Sequence, residues 1–429
     1  MSNYLKLFKT TSEYTQYIEQ GSPLLPNVSY TEDALKVYYN PIPHDYSKDY
    51  FTIVVTEGGH IDFDNSKSDS LSISKDKGET WEEVESDGGI DVSEGDTISV
   101  KCVMNNHFDE GYDFISSSES FKAKIQGNIM SLLVSDDFMN ATVLENEYLS
   151  DLFKNSEWLI DAQNLVLPAT TLVEGCYENM FVNCSNLVYA PKVLPATTLV
   201  ESCYSDMFSG CTSLVTAPVL PATTLAEHCY VTMFSGCTSL VNAPELPATT
   251  LAEHCYSGMF VNCSSLVNAP VLPATTLASG CYTAMFKGCS SLVTAPELPA
   301  TTLEIACYSN MFEGCTSLVT APELPATTLA YTCYTAMFKG CTSLVTAPEL
   351  PATTLETACY NAMFDGCTSL NYVKAMFTTD IRQNGSYTGG WLNNVSATGT
   401  FVGNTEASWL DDFTRTNSTV PQGWTIEKE

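Results

Sequence analysis

Cysteine is the residue whose spacing in this sequence most suggests chemistry. The chain has 17 cysteines, and 16 of them form two series that advance by 26 residues, with one step of 27 in each. The first series is Cys176, Cys203, Cys229, Cys255, Cys281, Cys307, Cys333 and Cys359. The second is Cys184, Cys211, Cys237, Cys263, Cys289, Cys315, Cys341 and Cys367. No Cys-x-x-Cys pair occurs, so a zinc ribbon and a thioredoxin-like motif are not supported.

The two cysteine series allow three roles if the repeats stack and equivalent residues form ladders. The thiols can be small buried hydrophobic groups. They can form disulfides between stacked repeats, although ladder geometry rarely satisfies the disulfide dihedral angle. They can bind metal ions. We favour structural ladders of buried thiols.

Two histidines and four glutamates also share repeat positions. His228 and His254 each precede a cysteine in adjacent repeats. A His/Cys metal site is conceivable there, but other repeats place Gly, Ser, Ala or Thr at this position, which favours a solvent-facing role. An acidic row is predicted from glutamates at one repeat position: Glu245, Glu297, Glu323 and Glu349. Val219 and Val271 interrupt this row, which is either a solvated face or a stripe that contacts a ligand or cation.

Other constellations carry little. Asp62, Asp64 and Asp69 lie in a loop rich in Ser and Asn, where calcium binding is possible, but the Gly and distal Glu of an EF-hand are absent. No P-loop and no Gly-x-Ser-x-Gly elbow is present. With five histidines in the chain, an acid–base centre has few candidates. We therefore predict no catalytic, cofactor-binding or metal-binding residue, and no enzyme.

The element that carries the cysteines is a repeat of 26 residues, a period within the leucine-rich-repeat range. In the copy that starts at Leu220, Thr224 and Glu227 have the spacing of a helix capping box. A short helix is predicted to follow and to end at Gly236. Its apolar face would consist of Leu225, Cys229, Tyr230, Met233 and Phe234. Residues 239–244 alternate and predict an extended segment that ends at a proline.

A unit of this size cannot bury its apolar face alone, so the repeats are predicted to stack. The fold class expected is a mixed α/β repeat, a leucine-rich-repeat-like solenoid, preceded by a small α+β module and an all-β immunoglobulin-like sandwich. Short β-rich runs at 50–56, 70–74, 81–84, 97–103 and 120–125 predict the sandwich strands.

Five regions follow from this pattern. Residues 1–50 form an N-terminal attachment module, with a short helix from Thr11 to Gly21 and a hairpin from Val28 to Tyr39. Residues 51–125 form the β-sandwich, and 126–171 form a linker and N-terminal cap of the solenoid. Residues 152–159 are a degenerate first unit without its cysteine. Residues 172–370 hold eight repeats, and 371–429 form a C-terminal cap with short strands.

Composition excludes several partners. The formal net charge is -32, which argues against binding nucleic acid through phosphate contacts and against anionic membrane surfaces. No stretch of about 18 apolar residues is present that would span a bilayer. Residues 1–9 have no apolar segment typical of a signal peptide, so we expect a chain made in the cytoplasm without a leader.

The run Met-Phe-x-Gly-Cys-x-Ser-Leu, as in residues 311–318, resembles the repeat of bacterial surface proteins related to BspA-like leucine-rich repeats. The Leu-Pro-Ala-Thr-Thr-Leu variant is similar to proteins of gut Bacteroidales and their phages, including crAss-like phages. The resemblance covers roughly residues 148–370 and implies a surface-exposed adhesion or decoration role.

Because no leader is expected, we expect a phage virion protein of the head or tail fibre type, with other virion proteins bound by the N-terminal module. A host surface protein or glycan is the expected ligand, and a homo-oligomer, trimeric by analogy with fibres, is the expected state. The alternative is a bacterial cell-surface adhesin. A carbohydrate-active enzyme is a third hypothesis, but no repeat position supplies the consistent pair of carboxylates that it requires.

Overall fold

The computed structural model describes residues 44–63, 68–84, 89–104, 115–381, 386–411 and 420–429. The chain divides after Tyr46 into two units, Met1–Tyr46 and Ser47–Glu429. The helix predicted from Thr11 and the hairpin predicted from Val28 lie outside the described residues. The following description concerns the second unit.

Nine strands precede the repeats in the described ranges. They are β1 Phe51–Glu57, β2 Gly59–Phe63, β3 Ser68–Ser74, β4 Glu82–Glu83, β5 Gly89–Val92, β6 Thr97–Met104, β7 Ile115–Ser117, β8 Lys122–Asn128 and β9 Leu159–Val166. Helix α1, Ser131–Val134, and a 3-10 helix, Ser135–Asn140, lie between β8 and β9, and another 3-10 helix covers Tyr46–Lys48. After the repeats come β10 Tyr372–Ala375, β11 Gly399–Gly403, a 3-10 helix Ser408–Leu410 and β12 Trp424–Lys428.

The first nine strands form two sheets. One has six strands in the order β4-β3-β6-β1-β8-β9, and the other has three in the order β5-β2-β7. Residues alternate in and out along β1 and β6, so that Ile53 and Val55 are buried with Ile98 and Val100. The runs predicted from β-rich composition overlap β1, β3, β4, β6 and β8, whereas β2, β5 and β7 were not predicted.

Strand β9 joins this sheet to the repeats. It pairs with β8 in parallel, unlike the other neighbours in its sheet, which are antiparallel. On its other side Asp161 forms a parallel bridge to Tyr189, which bridges in turn to Thr216. Bridges between equivalent residues continue along the repeats, for example Thr250 to Thr276 and Thr302 to Thr328. The hydrogen bonding of the sheet thus extends into the stacked repeats.

The helix predicted within each repeat is wrong. No helix lies in residues 172–370, and residues 227–236 instead form consecutive turns. The N–H groups of Cys229, Val231 and Met233 each donate to the carbonyl three residues earlier. Those of Tyr230 and Phe234 donate to carbonyls of the next repeat, at N···O distances of 3.0 and 2.9 Å. Alternate backbone donors therefore close a turn or bind a neighbouring repeat, and each helix donor that was expected is used otherwise.

Left-handed residues at every fourth position explain why a helix cannot form. In the same copy His228, Thr232 and Gly236 have φ of 54°, 49° and 73°. Such values interrupt a right-handed helix, and L-residues other than Gly and Asn adopt them at a cost of about 1–2 kcal/mol. The positive φ predicted for Gly236 is present, but it ends a turn and does not cap a helix.

The four-residue period leaves two consecutive side chains of each turn inside. Cys229, Tyr230, Met233 and Phe234 are each at most 1% exposed. Equivalent rings lie parallel in neighbouring repeats, with centroids 5.3–5.7 Å apart for the phenylalanines from Phe181 to Phe364. Stacked aromatic pairs contribute about 0.5–1.5 kcal/mol each beyond the burial of their area. Aromatic ladders therefore tie every repeat to both neighbours.

Both ends of the stack are covered by residues that continue its pattern. Phe153, in the unit predicted to be degenerate, stacks on Phe181 on one side and on Phe51 of β1 on the other. At the far end β10 pairs with β11 and β11 with β12, all in parallel. Short strands were predicted for this segment, and here they extend the bridges of the repeats with longer steps in sequence. The described residues thus have a mixed fold that is mostly sheet with few helices, with aromatic and cysteine side chains recurring at the repeat period.

Gly340 offers a test of the left-handed positions. Its φ is 74°, and an added Cβ would lie 3.7 Å from Gly314, which is ordinary contact. Gly340→Val should therefore cost about 2 kcal/mol of unfolding free energy through backbone strain, since a β-branched residue is a steric outlier at this φ. Gly340→Asn should cost about 0.5 kcal/mol or less, because asparagine tolerates this conformation and Asn262 already adopts it between two glycines. Denaturant titration followed by circular dichroism measures both; equal costs would show that packing, not φ, limits this position.

Candidate functional site

The structure places all sixteen predicted ladder cysteines in the interior, each 0% exposed. In the second series every thiol donates to the carbonyl oxygen of a phenylalanine in a preceding unit. For Cys237, Cys263 and Cys289 the Sγ···O distances are 3.2, 3.0 and 3.1 Å. The first series is buried without such regular contacts, with Cys229 Sγ 4.0 Å from a carbonyl of the next repeat. The second series therefore adds a hydrogen bond to its packing role, which the spacing alone did not indicate.

No disulfide joins any of the 17 cysteines. Burial raises the pKa of the Cys211, Cys263 and Cys315 thiols to about 12, because a thiolate would lose its hydration there. A thiol that stays protonated is a poor nucleophile and a poor metal ligand. The ladders therefore serve the interior and not surface chemistry.

This burial predicts that the thiols are unreactive in the native protein. At about pH 8, a thiol-specific aromatic disulfide reagent should modify none of them within minutes, because no thiolate is exposed. All 17 should react in concentrated guanidinium chloride. Thr238→Cys, at an exposed position beside buried Cys237, is the positive control and should react in the native state. Rapid modification of the unsubstituted native chain would contradict the buried ladders.

His228 and His254 lie on the surface with their rings parallel and 5.3 Å apart. The nearest carboxylates belong to Glu227, 3.6 Å from His228 Nδ1, and to Glu253, 3.9 Å from His254 Nε2. Both imidazoles are about 40% exposed, and the adjacent cysteines point inward. Among the described residues no three His, Cys, Asp or Glu side chains form a group that would hold a metal ion. The solvent-facing interpretation accounts for this pair.

The aspartates considered for calcium are not brought together by the described residues. Asp64 lies outside the described ranges, and Asp62 contacts an imidazole. His60 on β2 has Nδ1 2.7 Å from Asp91 and Nε2 3.2 Å from Asp62. The hydrogen bond to Asp91 raises the pKa of His60 above its ordinary 6.5, with Asp62 contributing in the same direction. The arrangement favours a protonated imidazole between two carboxylates.

The pKa of His60 predicts a pH dependence. Because the folded-state pKa is above the unfolded value, the stabilisation is complete below about pH 6.5 and is lost as pH rises through the folded pKa. NMR titration of the imidazole should give a pKa above 6.5. Asp91→Asn should move that pKa back towards 6.5, since it removes the largest cause of the shift. An unchanged pKa in this variant would show that the Asp91 contact is not formed in solution.

The predicted acidic row is exposed along one edge of the stack. Its members Glu245, Glu297, Glu323 and Glu349 are all exposed, and Glu349 lies 3.5 Å from the ammonium group of Lys374. Residues 172–370 contain 14 acids and three lysines. Two of these lysines, Lys287 and Lys339, lie 2.9 and 3.6 Å from Glu313 and not in this row. The row keeps a strong negative character.

A row of half-exposed valines runs beside the glutamates, and sequence reasoning missed it. It consists of Val215, Val241, Val267, Val293, Val319 and Val345, which are 39–52% exposed. Between the valines and the glutamates lie an Ala and a Pro in each repeat. The constant Val-x-Ala-Pro motif was the available signal, because extended segments place alternate side chains on opposite faces. We call this surface, with the glutamates, the valine–glutamate face.

Two grooves open on the valine–glutamate face. One, of about 300 Å³, is lined by residues 215–220 and 242–245. The other, of about 570 Å³, is lined by residues 267–271 and 293–297. They coincide with the two interruptions of the acidic row, Val219 and Val271, which are 62% and 80% exposed. Each groove thus combines an exposed apolar wall with a glutamate of the following repeat.

None of the helices in the described ranges has the length and hydropathy of a transmembrane segment. No protein-family model, no curated protein and no solved structure matches the chain. The chemistry of the described residues is therefore the basis for assigning a role.

Proposed function

We propose that this chain is a non-enzymatic structural protein that displays a repeat solenoid for adhesion. The carrying observation is the division of each repeat into a constant interior and an exposed face. Cys, Tyr, Met and Phe fill the interior, and the valine–glutamate face repeats outward from one rung to the next. Such a periodic surface suits contact with an extended partner, as in other stacked-repeat proteins.

The finer fold assignment belongs to the same proposal. Residues 172–370 are a solenoid of the leucine-rich-repeat type, in which turns replace the expected helix. Residues 51–125, with a three-stranded and a larger sheet, are an immunoglobulin-like sandwich, and residues 126–171 and 371–429 cap the solenoid. The parallel pairing of β9 with β8 supports the assignment of a cap, because it gives the first repeat a ready-made hydrogen-bonding edge.

The biological setting proposed is the surface of a phage particle, with the chain as a decoration or a head or tail fibre. The resemblance of the Met-Phe-x-Gly-Cys-x-Ser-Leu run to repeats of gut Bacteroidales and their phages supports this setting. Residues 1–50 would attach to other virion proteins, and the repeats would contact a host surface protein or glycan. A homo-oligomer, perhaps best tested as a trimer, fits such a fibre.

Mass spectrometry of gradient-purified phage particles tests this proposal. Peptides from residues 172–370 should co-purify with capsid proteins and should be lost when brief protease treatment strips the particle surface. An internal capsid protein, protected under the same conditions, is the control. Absence of the chain from intact particles would refute a virion role.

A bacterial cell-surface adhesin is the second candidate, and the same resemblance supports it. Surface biotinylation of uninfected host cells distinguishes the two. Labelled chain on uninfected cells favours the adhesin, whereas chain found only after infection favours the virion protein. A glycan-hydrolysis screen with the purified chain tests the non-enzymatic part, and turnover of any glycan would contradict it.

A further inference from the structure

The two grooves differ from the rest of the valine–glutamate face in the pairing of neighbouring side chains. In each, an exposed valine of one repeat is followed by an exposed glutamate of the next: Val219 by Glu245, and Val271 by Glu297. From Glu297 onward a glutamate follows a glutamate. The grooves are therefore places where apolar surface and a carboxylate meet.

This combination has a definite complement. The walls are formed by valine, alanine and proline, and neither groove is lined by a lysine or arginine. A long basic side chain buries its aliphatic stem on apolar surface and keeps its charged end at a polar rim. Lysine supplies such a stem and an ammonium group, which Glu245 or Glu297 would neutralise. An acidic or neutral polar side chain would satisfy only one of these two features.

We propose that the two grooves bind two lysine side chains of one extended partner polypeptide that runs along the stack. The inference rests on the proposed binding role of the repeats and names the chemistry of their partner. Charge complementarity carries it, because the face presents glutamates in four repeats and the partner presents ammonium groups.

The separation of the grooves specifies the conformation of the partner. They lie two repeats apart, and neighbouring repeats are joined by β-type hydrogen bonds, so their separation is about 10 Å at a spacing of about 4.8 Å. A polyproline II segment advances about 9.3 Å in three residues and returns to the same face. A β-strand returns to one face every about 6.6 Å and fits less well. The motif expected is therefore Lys-x-x-Lys in a polyproline II segment.

A direct binding measurement tests this proposal with the full chain. The probe is a fluorescein-labelled peptide with repeated Lys-Pro-Pro triplets, and its matched control has the same number of lysines in Lys-Pro repeats. Fluorescence anisotropy at low salt should show tighter binding of the triplet peptide, by about fivefold. In methyl NMR spectra the triplet peptide should shift the signals of Val219 and Val271 most.

Matched variants separate groove binding from attraction to a negatively charged protein. Glu245→Gln with Glu297→Gln should weaken binding by about fivefold, as two partly screened ion pairs are lost. Glu201→Gln with Glu253→Gln changes the net charge equally at another exposed repeat position and should leave affinity within about twofold. Val219→Glu with Val271→Glu should weaken binding although it adds negative charge. Four other repeats already hold glutamate there, so folding is preserved.

The opposite results would overturn the inference. Equal binding of both peptides, equal effects of the two Gln pairs, or tighter binding after Val219→Glu with Val271→Glu would each reduce the interaction to overall charge. Methyl shifts centred away from the two grooves would also overturn it. Peptide binding by the purified chain is independent of where the chain resides, so failure here and absence from phage particles are separate outcomes.

Discussion

The alternation of backbone hydrogen bonds within the turn segment is the constraint on which the rest of the structure depends. Every second N–H group closes a turn on its own repeat, and the others bind the next repeat, as Val231 and Thr232 do. A repeat without a neighbour would leave about half of these donors without a protein acceptor, and unpaired buried backbone groups are costly. Stacking is therefore required by the backbone as well as by the apolar side chains.

This alternation also explains the residue types at the left-handed positions. The third left-handed residue of each repeat is Gly or Asn, as at Gly236 and Asn262. The first two positions accept Ser, His, Thr and Ala, at which positive φ carries a cost. Hydrogen bonds and aromatic stacking on both sides hold these residues in place, so the strain is offset by the stack and not by local preference. A single isolated repeat would lack this compensation.

The existence and period of the repeat could be predicted from the sequence, as could the burial of its Cys, Tyr, Met and Phe. The helix could not be excluded by periodicity alone. Inward residues at 225, 229, 230, 233 and 234 fit a period of 3.6 and a period of four nearly equally over so short a run. The distinguishing signal was the tolerance of Gly, Asn and Ser at every fourth residue. The capping-box spacing of Thr224 and Glu227 then favoured the wrong element. The acidic row was visible in sequence, but the grooves beside it depend on which side chains of neighbouring repeats adjoin.

Interior and exterior therefore vary under different constraints. Replacing an interior residue disturbs two neighbouring repeats, because each ring or thiol contacts the equivalents above and below. Replacing an exposed residue, as Val271 does where Glu297 stands one repeat later, changes only the surface. A stack of this kind can change its ligand contacts one repeat at a time while its backbone spacing stays fixed. The distances between contacts are set by the hydrogen-bonded rungs, and their chemistry is set by single exposed side chains. Recognition by such a surface is consequently a matter of matching a partner's period first and its side chains second.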